Sequence, residues 1–212
     1  MKKGESIPRL GWVIAFLGAS ILLALAFSSL QGTRSTPVPE HLNPISTVPD
    51  FQLLDQTGTP FGLKDLKGKI WVANFIFTRC QGPCPIMSSR MAELNKSVQR
   101  AGGGLELISF SVDPEFDRPE VLSAYASKLG ANSKSWKFLT GTKAEIDAVV
   151  MKGLLQPLAN EPDGTPAHST RFVLVDREGR LRGYQDGNDP EIVQKLLMDI
   201  GDLMRESPSK QK

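Results

Sequence analysis

Residues 70–87 read IWVANFIFTRCQGPCPIM, and this stretch decides the fold. Its first eight residues are almost all apolar, which is typical of a strand buried on both faces. From Pro85 onward the apolar residues recur at helical spacing, which predicts a helix that extends to about Ala101. The loop between strand and helix contains both cysteines of the chain, Cys80 and Cys84. A buried strand followed by a short loop and a helix is typical of an α/β fold.

The same alternation of strands and helices continues over most of the chain. A turn at Gln56-Thr57-Gly58 separates two short apolar stretches, and this arrangement predicts a β-hairpin over residues 51–63. Predicted strands cover residues 70–77, 105–112, 136–140, 171–176 and 181–185, and predicted helices cover residues 85–101, 117–129, 143–151 and 190–205. The second of these helices is predicted to begin with a capping box formed by Asp117 and Glu120. The whole pattern predicts an α/β fold with a central sheet.

The first 30 residues have the pattern of a membrane segment. Residues 1–10 form a basic start, and residues 11–30 contain no charged residue. Twenty residues of helix span about 30 Å, the thickness of the hydrocarbon core of a bilayer. The basic start predicts that the N-terminus stays cytoplasmic and that the domain lies on the periplasmic, extracytoplasmic side. A signal peptide that is cleaved after Ala24-Leu25-Ala26 is the alternative.

Composition divides the rest of the chain and excludes one class of function. Residues 31–47 are rich in proline, serine and threonine and are predicted to form a linker. Residues 48–205 are predicted to be the folded domain, and residues 206–212 a polar tail. The net charge is +2, and the basic residues of the first ten positions account for it. A nucleic-acid-binding protein needs a concentrated basic surface, so the sequence predicts no nucleic-acid partner.

The two cysteines lie where the predicted strand ends and the predicted helix begins. The free N–H groups of a helix start stabilise a thiolate, and Arg79 adds a positive charge beside Cys80. Three residues separate Cys80 from Cys84, so both sulfurs can turn toward one metal ion, and a disulfide between them is also feasible. A soft ion such as copper(I) favours thiolates. The residues therefore leave open a metal site, a redox-active dithiol, or two unrelated buried thiols.

A metal site on two thiolates needs a further ligand, and the chain has two histidines. His168 stands just ahead of the strand predicted at residues 171–176, whereas His41 stands in the predicted linker. A loop at the edge of the sheet can bring His168 over the cysteine loop, and two cysteines with one histidine suit copper and also zinc. The alternative for either histidine is an ordinary solvated side chain.

Four stretches of the chain together resemble the Sco/SenC family. They are LDQTG at residues 54–58 with DLKGK at 65–69, the strand and cysteine loop at 75–85, SVDPE at 111–115 with Asp117, and HST at 168–170 with FVLVD at 172–176 and Gly179. The most specific feature is the CxxxC pattern combined with the distal histidine. Members of this family are copper chaperones for assembly of the CuA centre of cytochrome c oxidase.

The resemblance implies a thioredoxin-like fold with an N-terminal β-hairpin extension, behind an N-terminal transmembrane anchor. It implies one copper ion, Cu(I) or Cu(II), bound by Cys80, Cys84 and His168. Asp113 corresponds to an acidic residue near the family's site and is expected to be a supporting group; a cap at the end of a strand is its alternative role. The implied partners are the CuA-bearing subunit of cytochrome c oxidase and periplasmic copper donors or thiol reductases.

Two functions from different classes are consistent with this reasoning. The first is a metallochaperone that delivers copper to the CuA centre by exchange of ligands. The alternative is a membrane-anchored thiol–disulfide oxidoreductase that keeps client cysteines reduced, through redox cycling of Cys80 and Cys84. A peroxidase is suggested by Thr78 two residues before Cys80, but the surrounding signature is absent from the sequence.

Overall fold

The structure is a computed structural model that describes residues 20, 39–100, 104–131, 134–160, 166–167 and 169–206. The chain divides into two units, residues 1–36 and residues 37–212, and the elements named below belong to the second. The transmembrane segment predicted at residues 11–30 lies outside the described residues apart from Ser20. Among the helices that the structure describes, none is long and apolar enough to cross a membrane.

The described strands and helices alternate along the second unit. The strands are β1 Ser46–Thr47, β2 Gln52–Asp55, β3 Pro60–Gly62, β4 Ile70–Ile76, β5 Leu105–Ser111, β6 Trp136–Thr140, β7 Ala159–Asn160, β8 Pro166–Ala167, β9 Arg171–Val175 and β10 Arg180–Asp186. The helices are α1 Leu63–Leu66, α2 Cys84–Arg100, α3 Pro119–Lys128, α4 Lys143–Asp147, which continues as a π-helix over Ala148–Gly153, and α5 Ile192–Arg205. A 3-10 turn, Glu40–Leu42, precedes them. The α/β prediction is confirmed.

Eight of the strands form one sheet in the order β1-β10-β9-β4-β5-β6-β2-β3, while β7 and β8 pair separately. Strand β4 pairs in parallel with β5, and its other neighbour, β9, runs antiparallel to it. Every residue of β4 is buried, as the almost entirely apolar run predicts for a strand covered on both faces. The predicted hairpin is confirmed, because β2 pairs antiparallel with β3.

The core lies on both faces of this sheet. Helix α2 buries the stripe Met87, Met91, Leu94 and Val98, which recurs at helical spacing, and it packs against α5 and the central strands β4 and β5. Helix α3 packs against β6, where the Tyr125 ring meets the Phe138 ring edge-on at 6.1 Å. This packing fixes the start of α2 against the sheet, and therefore fixes the region of the two cysteines.

Part of the segment predicted to be a linker, residues 31–47, packs against the folded domain. The 3-10 turn buries Leu42, and β1 pairs with β10. The Leu42 carbonyl accepts a hydrogen bond of 2.5 Å from Nε of Arg182, whose side chain is 1% exposed. Residues 40–42 and 46–47, within the segment predicted to be a linker, therefore belong to the packed domain. An isolated leucine between prolines has no periodicity that would have predicted its burial.

The predicted capping box is also wrong. Helix α3 begins at Pro119 after Arg118, and no side chain caps it. The Asp117 carboxylate points away from this helix and bonds to residues of two other segments. The local pattern of Asp117 and Glu120 is a good cap, but hydrogen bonds from partners distant in sequence determine where Asp117 points.

Candidate metal centre

The cysteine loop connects the end of β4 to the start of α2. Strand β4 ends at Ile76 and α2 begins with Cys84, so residues 77–83 form the loop. The backbone N–H of Cys80 donates to the Phe77 carbonyl at 3.1 Å, which curls the chain back on itself. Cys80 is partly buried at the edge of the core, whereas Cys84 is 1% exposed. One sulfur is thus near the surface and the other is enclosed.

The two thiols are not joined by a disulfide, and they lie within hydrogen-bonding reach of each other. The Cys84 thiol takes part in hydrogen bonds with the Cys80 side chain and with the Phe77 backbone. Burial raises the pKa of the Cys84 thiol, and the neighbouring Cys80 raises it further, while the Phe77 backbone opposes this shift. The enclosed Cys84 sulfur therefore gives up its proton less readily than an ordinary exposed thiol.

His168 lies outside the described residues, but the residues that follow it are placed. The antiparallel pairing of β9 with β4 puts the start of β9 at the end of the sheet where the cysteine loop lies. The Thr170 carbonyl accepts from the N–H of Gly187 at 2.8 Å, and a Cβ added at Gly187 would overlap both that oxygen and the Met87 side chain. Thr170 is thus close to the first turns of α2. The described residues contain no group of three or more His, Cys, Asp or Glu side chains arranged for a metal.

The predicted supporting residue, Asp113, is bonded to the cysteine loop. Its Oδ2 accepts from Nε and Nη2 of Arg79 at 3.0 and 2.7 Å, and the guanidinium of Arg79 also stacks on the Phe116 ring, 4.6 Å from its centre. Arg79 precedes Cys80, so Asp113 contacts the site through its neighbour. The positive charge that the sequence places beside the thiols is paired with this carboxylate.

A second carboxylate of the same segment, that of Asp117, was not predicted to contact the cysteine loop. It is fully buried and accepts from the Thr78 backbone N–H at 3.0 Å, from the Thr78 hydroxyl at 2.5 Å and from the Ser111 hydroxyl at 2.6 Å. Burial raises the pKa of Asp117, and the hydrogen bonds from Ser111 and Thr78 oppose that rise. The recurrence of aspartate four residues after Asp113 was the available signal, but the capping pattern gave it another role.

The match to a family is decided by a sequence model that covers most of the chain. The SCO1/SenC model matches residues 39–204, which include every strand and almost all of the last helix. The chain belongs to the SCO1/SenC family. The resemblance seen in the motifs is thereby confirmed, and the match begins at the 3-10 turn, before the predicted domain boundary at residue 48.

Solved structures support the same assignment for this SCO1/SenC protein. A SCO1/SenC family lipoprotein from Bacillus anthracis is 34% identical, with a TM-score of 0.72 over 79% of this chain and 99% of the other. BsSco, described as a Sco family cytochrome c oxidase assembly protein with a disulfide switch, is 31% identical, with a TM-score of 0.68 over 76% and 95%. Copper-bound ScoI from Bradyrhizobium japonicum is 26% identical, with a TM-score of 0.62 over 74% and 99%. The thioredoxin-like α/β fold is confirmed.

Proposed function

We propose that this SCO1/SenC protein binds one copper ion through Cys80, Cys84 and His168 and delivers it to the CuA centre of cytochrome c oxidase. The observation that carries the proposal is the pair of thiols within hydrogen-bonding reach of each other at the start of α2. Thiolate sulfur is the ligand type that copper(I) favours. The copper-bound ScoI structure and the description of BsSco as an oxidase assembly protein support the same function.

The unequal exposure of the two sulfurs fits a protein that passes its cargo on. Copper displaces the proton of the buried Cys84 thiol, and its positive charge compensates the burial of the thiolate. Cys80 lies at the edge of the core, so an incoming ligand from a client reaches its side of the copper first. Replacement of one ligand at a time transfers copper without release of the free ion. The CuA-bearing subunit is the proposed client, and periplasmic copper donors or thiol reductases supply copper or electrons.

The proposed location follows from the N-terminal sequence. Residues 11–30 contain no charged residue and follow a basic start, so they anchor the domain in a membrane with the N-terminus cytoplasmic. The related lipoprotein from Bacillus anthracis supports attachment to a membrane. Extraction of the full-length chain from membranes by detergent but not by carbonate tests the anchor; release by carbonate contradicts it.

Substitution of each of the two histidines in turn gives the most specific test of the ligand set. The chain has only His41 and His168, and Nε2 of His41 lies 2.9 Å from Oδ1 of Asp199 on α5. We expect His168→Ala to weaken Cu(I) binding sharply and to impair oxidase maturation, because it removes a ligand. His41→Ala is the matched control and leaves Cu(I) affinity unchanged. Equal affinities of both variants and the wild type would remove His168 from the site.

A thiol–disulfide oxidoreductase is the second candidate, because the thiols that face each other also suit exchange, and BsSco has a disulfide switch. The Cys80 thiolate attacks a client disulfide and forms a mixed disulfide, which releases one client thiolate. The Cys84 sulfur, once deprotonated, attacks Cys80 and releases the second client thiolate. Two electrons pass to the client, and the chain is left with a Cys80–Cys84 disulfide. Failure of the reduced, metal-free protein to reduce a mixed disulfide with glutathione would exclude this function.

A further inference from the structure

The residues just ahead of Cys80 are held by two carboxylates of one short segment. Asp113 binds Arg79, and Asp117 binds Thr78. The segment itself is a tight turn, since the Asp117 N–H donates to the Asp113 carbonyl at 2.9 Å. Two consecutive residues of the cysteine loop are therefore attached to the end of β5.

These two attachments differ in their surroundings. The Arg79 side chain is 54% exposed, and an ion pair with an exposed partner fixes a loop weakly because water competes for the guanidinium. Asp117 is fully buried, and both of its oxygens are used, so its hydrogen bonds with Thr78 have no competing water. Asp117 also accepts from Ser111, the last residue of β5, which fixes the carboxylate itself.

We propose that Asp117 is a positioning residue of the copper site, which fixes Thr78 and thereby holds the Cys80 sulfur opposite Cys84. This inference rests on the proposed function. Cys84 is fixed by helix α2 and by its burial, whereas Cys80 belongs to a loop whose position depends on hydrogen bonds. A loop that is loose before binding must be ordered when copper binds, and that lowers the affinity.

Three variants distinguish the effect of the hydrogen bonds that Asp117 makes from the effect of its negative charge. Asp117→Ala removes all three hydrogen bonds. Asp117→Asn keeps the shape and removes the charge: its oxygen accepts from the Thr78 N–H and the Ser111 hydroxyl, and its amide nitrogen donates to the Thr78 hydroxyl oxygen. Thr78→Val removes the hydroxyl partner and keeps the backbone bond, so it remains informative if Asp117→Ala does not fold. Leu196→Ala is the stability control: it removes a buried apolar side chain of α5 and leaves every residue of the cysteine loop and of the Asp113–Asp117 segment unchanged.

Two readouts are measured on the full-length chain. The first is Cu(I) affinity by competition with a chelator. The second readout needs no copper and is the equilibrium constant for exchange with oxidised glutathione. In this reaction Cys80 and Cys84 lose two electrons and form a disulfide, and two glutathione thiols are released. This constant reports how often the two sulfurs are in position to bond. Thermal unfolding of the metal-free protein monitors stability in parallel.

We expect Asp117→Ala to weaken Cu(I) binding by about 10–100-fold, as removal of a partner that orients a ligand commonly does. The equilibrium constant with oxidised glutathione is also expected to fall in Asp117→Ala. Thr78→Val is expected to lower both the Cu(I) affinity and this constant by less, and Asp117→Asn is expected to have nearly wild-type values of both. Leu196→Ala unfolds at lower temperature with unchanged affinity. Unchanged constants for Asp117→Ala and Thr78→Val, or equal losses for Asp117→Asn and Asp117→Ala, would overturn the inference. If wild type binds no copper, the proposed function fails, and the glutathione constants still decide whether Asp117 positions Cys80.

Discussion

Gly187, just after β10, occupies a position where the structure leaves no room for a side chain. A Cβ there would overlap Sδ of Met87 and lie 2.5 Å from its Cε, and it would also lie 2.5 Å from the Thr170 carbonyl oxygen. Met87 is 1% exposed and enclosed by the core, and the Thr170 oxygen is backbone that already accepts the N–H of Gly187. Gly187→Ala must therefore displace the strand start that follows His168, together with the Met87 side chain.

The magnitude follows from the two opposing effects. Overpacking of a filled core costs about 1–3 kcal/mol. Replacement of glycine lowers the entropy of the unfolded chain, which returns about 0.4–1 kcal/mol. Mid-range values of the two effects leave a net loss of about 1 kcal/mol, which lowers Tm by about 2–4 °C in a domain of this size. Because Met87 and Thr170 flank the candidate site, we also expect weaker Cu(I) binding.

Thermal unfolding of the metal-free protein measures this effect, and Gly201→Ala is its control. Gly201 lies in α5, where an added Cβ would meet the Arg205 guanidinium at ordinary contact distances, 3.5 Å from Nη1 and 4.0 Å from Nη2. Alanine favours a helix over glycine by about 0.5–1 kcal/mol, so this variant is expected to be more stable than wild type. A Gly187→Ala variant that is as stable as wild type would refute the described packing of Met87 and Thr170 around Gly187.

Two further predictions concern buried titratable groups. Iodoacetamide is expected to modify Cys80 before Cys84 in the reduced protein, because Cys84 is enclosed and burial raises its pKa; peptide mass analysis that finds equal modification would contradict this. Burial raises the pKa of the Asp55 carboxyl, but hydrogen bonds from Thr57 and Lys137 outweigh that effect, so its pKa in the folded protein lies below 3.8. A carboxyl whose pKa is lower in the folded than in the unfolded protein stabilises the fold at any pH above its unfolded-state pKa. This stabilisation is lost as the pH falls through the folded-state pKa, so wild type should lose stability below about pH 4 more steeply than Asp55→Asn. Parallel urea-unfolding curves against pH for the two proteins would contradict it.

The central elements of the fold could be predicted because their patterns are long and local. Strand β4 is an apolar run interrupted only by Asn74, and α2 carries a stripe that repeats over about three turns, so both were predicted to within about one residue of their observed ends. The CxxxC pattern placed Cys80 and Cys84 at the junction of these two elements, where the structure has them.

The role of Asp117 could not be predicted from its neighbours. Its sequence context satisfies a helix cap, while its actual partner, Thr78, is 39 residues away. A cap and a buried tertiary hydrogen bond use the same carboxylate, and only the folded chain shows which wins. The burial of Leu42 was missed for a related reason, because its partner Arg182 is 140 residues away. Local pattern thus predicted the elements, and the contacts between them required the structure.

The most direct test of the proposed function is the copper content of the reduced full-length chain after reconstitution with Cu(I) and removal of loosely bound metal. Cys84→Ser is measured beside it, because serine keeps the shape of the side chain and removes the soft ligand. We predict one tightly bound copper per wild-type chain and none in Cys84→Ser. Equal copper in both proteins would remove Cys84 from the ligand set. No tight copper in wild type, together with rapid exchange of its thiols with glutathione, would contradict the copper-delivery account and favour the oxidoreductase.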